Sequence, residues 1–87
     1  MKNPKQIENL PWREIDGRVV IIHPKRGEVH EFNPVGTLLW KNATGTATLD
    51  ELIYLVCEEF DVDFETAKVD AQDFFTSLAV HDLLCPS

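Results

Sequence analysis

The residues of this 87-residue chain with the chemistry for catalysis or metal binding are three histidines (His23, His30, His81), two cysteines (Cys57, Cys85) and fifteen carboxylates. Imidazole with carboxylate can hold a metal or move a proton, and a thiol beside an imidazole can act as a nucleophile. Their spacing supports none of these uses. The histidines lack the i, i+4 pairing of an HExxH helix, and no carboxylate stands at metal-ligand spacing from them. His30 shares a strand face with Phe32 and reads as a half-buried sheet residue. The cysteines form no CxxC pair. Cys57 falls in an apolar helical pattern and reads as a small buried hydrophobe, and Cys85 reads as an idle thiol. Glycines 17, 27, 36 and 45 are dispersed, so no loop is built to cradle phosphate. Acidic pairs such as Glu58 and Glu59 read as a solvated helix face. An acidic helical carrier protein would need an Asp-Ser-Leu to hold phosphopantetheine, and neither Ser77 nor Ser87 has that context. No enzyme activity, metal or cofactor is therefore expected. Binding remains.

The stretch around which the elements are arranged is Glu28 to Trp40, EVHEFNPVGTLLW. His30 and Phe32 share one face and Val29 and Glu31 the other, the period-2 signature of a half-buried strand. Asn33 then stands at a helix N-cap and Pro34 at the first helical position, where its missing N–H is no loss. Upstream, residues 1 to 11 read as an extended lead-in, with the domain proper at 12 to 87. Trp12 to Asp16 alternates as a first strand, Asp16-Gly17 signals a two-residue hairpin, and Arg18 to His23 carries the run VVII, which suits a central strand. Pro24 to Gly27 turns the chain into the third strand, Glu28 to Asn33. Downstream, a first helix runs from Pro34 to about Ala43. A second follows the capping box of Thr48 and Glu51 and runs to Phe60. A third, capped by Asp63, spans Phe64 to about His81, with Ala67, Ala71, Phe74 and Leu78 toward the core and a second stripe of Gln72, Phe75, Thr76 and Ala79 beside it. Leu83 and Leu84 fold back on the core. The fold class is α+β, a three-stranded antiparallel sheet followed by three helices.

Charge narrows the partners. Residues 1 to 45 hold seven Lys/Arg and five Asp/Glu, whereas 46 to 87 hold one Lys and ten Asp/Glu, balances of +2 and -9. Acidic helices repel phosphate backbones and anionic lipid, which argues against nucleic acid and membrane surfaces. No apolar run reaches the roughly 18 residues of a membrane span, and the N-terminus lacks a signal-peptide core, so the expected location is cytoplasmic.

The third strand lies on a sheet edge, and an edge presents a row of unpaired N–H and C=O groups. If the third helix packs near it, the gap is a groove in which an extended peptide can add as a further strand. The residues in question are Val29, His30, Glu31 and Phe32 on the strand, with Lys68, Gln72, Phe75, Thr76 and Ala79 on the helix. The competing reading is that Glu28 and Glu31 protect the edge by charge, and the residues alone leave both open.

EFNPVGTLLW, then TLDELI, EEFDV and an acidic third helix ending in LL, resembles the PqqD family of peptide chaperones, the recognition elements of ribosomally made, post-translationally modified peptides. Phe32, Asn33, Gly36 and Trp40 fill the family's strand-to-helix pattern. Thr48, Phe60, Asp61, Val62, Phe74, Leu78, Leu83 and Leu84 fill the later one, over residues 12 to 84. The resemblance implies a winged-helix-like fold and a non-catalytic role. The chain would bind the leader segment of a precursor peptide along the third strand and third helix, and present it to a radical SAM enzyme or, as in lasso-peptide pathways, to a leader peptidase. Where the family often has Gly before the final Leu pair this chain has Asp82, so the third helix is expected to end differently. Monomer and weak homodimer are both compatible with an open edge. The alternative, a winged-helix nucleic-acid binder, needs a basic recognition helix; Lys68 is the sole Lys or Arg after Lys41.

Overall fold

The computed structural model of the chain describes residues 3–85. Three strands, β1 (Trp12–Ile15), β2 (Arg18–His23) and β3 (Glu28–Glu31), form an antiparallel sheet in the order β1-β2-β3. Three helices follow, α1 (Pro34–Asn42), α2 (Leu49–Phe60) and α3 (Phe64–Val80). The β1–β2 hairpin turns on Asp16 and Gly17, both at positive φ (53° and 78°), as a type I′ turn requires. β2 is central in the sheet, but only one of its faces is covered. Val19, Ile21 and His23 are buried, while Ile22 is exposed. An unbroken apolar run is therefore not a strand buried on both sides here, because all three helices lie on the same side as Val19 and Ile21.

Each helix starts where a polar side chain replaces the missing backbone partner. Asn33 Oδ1 accepts from the Gly36 N–H at 2.8 Å, Thr48 and Glu51 form the reciprocal capping box, and Asp63 Oδ1 accepts from the Thr66 N–H at 3.0 Å. Hydrogen bonding by the Thr66 hydroxyl, and then by this backbone N–H, holds the Asp63 carboxyl below its usual range. α2 ends on Asp61 in the left-handed region, φ 52°. After α3 the chain turns through Asp82, φ 58°, which takes the left-handed conformation that glycine would favour and places Leu83 in the core. Asp is among the few residues that visit this region, so the turn after α3 forms without glycine. The Asp82 carboxylate is 3.0 Å from Arg26 Nη1.

The core gathers Val19 and Ile21 of β2, Leu39 and Trp40 of α1, Leu52, Ile53 and Val56 of α2, and Ala67, Ala71, Phe75 and Leu78 of α3. Phe75, fully buried, is the α3 aromatic inside it, and Phe74 is only partly buried. The expected assignment of these two rings is thus exchanged. The spacing Ala67, Ala71, Phe75, Leu78 is as helical as the same series with Phe74. α1 joins the sheet through Thr37, whose buried Oγ1 accepts the Val19 N–H at 2.9 Å. It also lies very close to α3. A Cβ on Gly36 would stand 2.9 Å from Phe74 Cε1 and 3.2 Å from Phe32 Cβ. The lead-in is stitched to the body: Gln6 N–H donates to Ala43 C=O at 2.8 Å and Ile7 N–H to Leu83 C=O at 2.9 Å.

Three outcomes follow from this packing. Phe75→Ala should cost about 3–5 kcal/mol in chemical denaturation, and Thr76→Ala less than about 0.5 kcal/mol; equal costs would contradict the placement of α3. Gly36→Ala should destabilise by about 1–3 kcal/mol, despite alanine's better helix propensity, because Phe74 must move. Asp63 has a lowered folded-state carboxyl, so its contribution is present above about pH 4 and disappears as pH falls through the folded value. Asp63→Asn, which keeps a cap, should show a smaller loss of stability on acidification in pH-dependent thermal melts.

Candidate functional site

β3 is satisfied on one side. Its register with β2 pairs Val20 with Glu31, Ile21 with His30, Ile22 with Val29 and His23 with Glu28. The Phe32 N–H donates to the Val19 C=O at 2.9 Å. In an antiparallel ladder, successive residues alternate between bonding the partner strand and facing away. With Phe32 turned to β2, His30 and Glu28 turn inward with it, while the N–H and C=O of Val29 and Glu31 point outward. No strand pairs with that outer edge among the described residues. The side chains alternate too: Glu28, His30 and Phe32 are half-buried toward the core, whereas Val29 and Glu31 are exposed. Arg18 lies alongside, its Nε donating to the Phe32 C=O at 3.1 Å and standing 3.4 Å from Glu31 Oε2.

The opposite wall is α3, and aromatic and imidazole rings close the floor. Phe32 meets Phe74 edge-on with centroids 4.9 Å apart and Trp40 at 5.6 Å, and His30 meets His81 at 4.8 Å. These contacts leave a cleft of about 310 Å³ along Val29–Phe32, walled by Phe74, Ser77, Leu78 and His81. A neighbouring concavity of about 390 Å³, sharing Phe74 and Ser77, continues past Asn33 and Gly36 to Asp70 and Asp73. Larger concavities of about 670 and 540 Å³ border the lead-in, one at Lys5–Trp12 and one between Ile7–Leu10 and the β2–β3 turn at His23–Arg26 with Asp82. Neither reaches the free edge of β3.

The strand residues expected to recognise a ligand, Val29, His30, Glu31 and Phe32, thus all border the cleft: Val29 and Glu31 through outward backbone, His30 and Phe32 through side chains in its floor. The expected helix residues do not. Phe75 is in the core, and Lys68, Gln72, Thr76 and Ala79 lie roughly 120 to 160° around the helix from Phe74 at about 100° per residue. The wall is formed instead by Asp70, Asp73, Phe74, Ser77 and His81. The difference starts at one pair of rings: Ala67, Ala71 and Leu78 are in the core as expected, but Phe75 joins them and Phe74 turns to the cleft. The small polar set Asp70, Asp73 and Ser77 around Phe74 was the signal for a wall lining an open cleft.

One cluster was incomplete in local spacing, because His81 comes from a distant part of the chain to join Glu28 and His30 of β3. Glu28 Oε1 is 3.2 Å from His30 Nε2 and 3.4 Å from His81 Nδ1, with Arg26 Nε at 3.6 Å. Burial pushes the Glu28 carboxyl up, but the His30 hydrogen bond, the Arg26 guanidinium and His81 outweigh it and leave the group below its ordinary range. Sequence spacing put no carboxylate in ligand position to the histidines, whereas β3 and the end of α3 bring His30 and His81, 51 positions apart, together on Glu28.

Comparison with known proteins places this geometry. The structure of TbiB1 in complex with the TbiA(beta) leader peptide is similar over 95% of this chain and 96% of that one, with TM-score 0.83 and 28% identity. Lasso peptide synthetase B1 complexed with the leader peptide shares the fold, with TM-score 0.83 over 97% of this chain and 99% of that one, at 17% identity. No curated protein sequence matches. The family model for coenzyme PQQ synthesis protein D matches residues 18–84, which include all three helices, β2 and β3. This chain belongs to the PqqD family.

Proposed function

We propose that this protein is a non-catalytic recognition module that binds the leader segment of a ribosomally made precursor peptide and presents the peptide to a modifying enzyme, a radical SAM protein or a leader peptidase. The observation that carries this reading is the outward row of backbone groups at Val29 and Glu31, beside a cleft floored by Phe32, Phe74, His30 and His81. A peptide laid antiparallel or parallel to β3 gains main-chain hydrogen bonds there, and its alternate side chains enter the cleft beside Phe74 and Ser77. Membership of the PqqD family and similarity to TbiB1, which was solved with a leader peptide, support the same occupant. The wall carboxylates Asp70 and Asp73 oppose a phosphate backbone and give no help to a nucleic-acid reading.

Proline scanning of the strand tests it. Glu31→Pro removes an outward N–H on an edge strand, where proline is tolerated. It should weaken binding of a synthetic precursor leader peptide by about five- to tenfold, the value of a hydrogen bond of about 1–1.5 kcal/mol. Glu31→Ala, which keeps the amide, should bind nearly as wild type does. His30→Pro removes a bond to β2 and should lower the melting temperature instead. Equal binding by Glu31→Pro and Glu31→Ala, measured by fluorescence anisotropy, would refute strand addition.

A further inference from the structure

We infer that Glu28, His30 and His81 form a binding site for a zinc ion that ties β3 to the end of α3. The inference rests on the geometry of the cluster and does not depend on the leader-peptide reading.

The ligand atoms Glu28 Oε1, His30 Nε2 and His81 Nδ1 all lie within 4.8 Å of one another. Two of the separations are 3.2 and 3.4 Å. Zinc–ligand bonds of about 2.0–2.1 Å in a tetrahedron put neighbouring ligand atoms about 3.3–3.4 Å apart, so these two edges need almost no adjustment. The third edge closes by rotation of the His81 ring, which sits at the helix C-cap rather than in the core. His81 Nδ1 is shielded from solvent and makes no hydrogen bond, although it points at a carboxylate oxygen. A nitrogen in that state lacks either a proton acceptor or a metal.

The donor set selects the ion. Two imidazoles and one carboxylate suit zinc and its neighbours, whereas calcium and magnesium require mostly oxygen. Three protein ligands leave the fourth tetrahedral position to water. Other charged groups facing the cluster are Arg26 and Asp82. Arg26 Nε competes for Glu28 Oε1 from 3.6 Å, but the same guanidinium has other partners in Asp82 Oδ2 at 3.0 Å and the Val80 C=O at 3.3 Å. Arg26 can therefore release the Glu28 carboxylate without losing its place. Metal binding to imidazole displaces protons, so affinity should fall on acidification.

The test uses the full chain without peptide. Wild-type protein should take up one equivalent of Zn²⁺ in isothermal titration calorimetry at pH 7.5. His81→Ala and Glu28→Gln should each weaken this by more than the ~10–100-fold expected for outer-shell changes, with amide spectra showing that both remain folded. Co²⁺ should broaden amide signals around Glu28, His30 and His81 first. Uptake unchanged in both variants, broadening centred on Cys57, Cys85 or the acidic helix faces, or no uptake at one equivalent would overturn the site. The Glu31→Pro comparison would be unaffected by any of these results.

Discussion

A β-strand bonded on one side only carries a definite pattern of unsatisfied groups, and in this protein a single bond sets that pattern. The Phe32 N–H reaches the Val19 C=O, and antiparallel alternation then decides which residues of β3 look inward and which outward. Shifted by one position, His30 would offer its amide to solvent and the rings that floor the cleft would leave the core side. The register itself is held by burial, because Val19 and Ile21 must lie under the helices.

The same burial sets the distance between the walls. Phe75, Ala71 and Ala67 hold α3 in the core, which leaves Phe74 free to meet Phe32 across the cleft. Gly36 allows α1 to approach both rings, since any side chain there would collide with Phe74. The strand-to-helix passage Phe32, Asn33, Pro34, Gly36 thus works as a unit. It ends the strand, caps the helix and supplies the side-chain-free surface on which Phe74 rests. At the far end of the cleft the rings are imidazoles, His30 and His81, and there a carboxylate joins them.

Much of this was legible in the sequence because it is local. Strand alternation, the Asp16-Gly17 hairpin, the Asn33, Thr48 and Asp63 caps and the periodicity of α2 each depend on residues a few positions apart, and each element occurs where those signals put it. What failed depends on rotation or on distance. Two adjacent phenylalanines on α3 fit the helical period equally well, and the tie is broken only by Gly36 and Phe32, which lie about forty positions away. The cluster of Glu28, His30 and His81 is only half local, since tertiary folding brings His81 to the strand pair. At Asp82, where the resemblance led to glycine being expected as the easier residue, aspartate adopts positive φ and also meets Arg26.

The central claim is that β3 keeps a vacant row of main-chain donors until a peptide arrives, and amide hydrogen exchange measured residue by residue reads it directly. In the free protein the Val29 and Glu31 amides should exchange rapidly while His30, bonded to β2, is protected; adding the leader peptide should slow Val29 and Glu31 and leave His30 as it was. Protection of Val29 and Glu31 in the free protein, or no change in them at saturating peptide, would contradict the account.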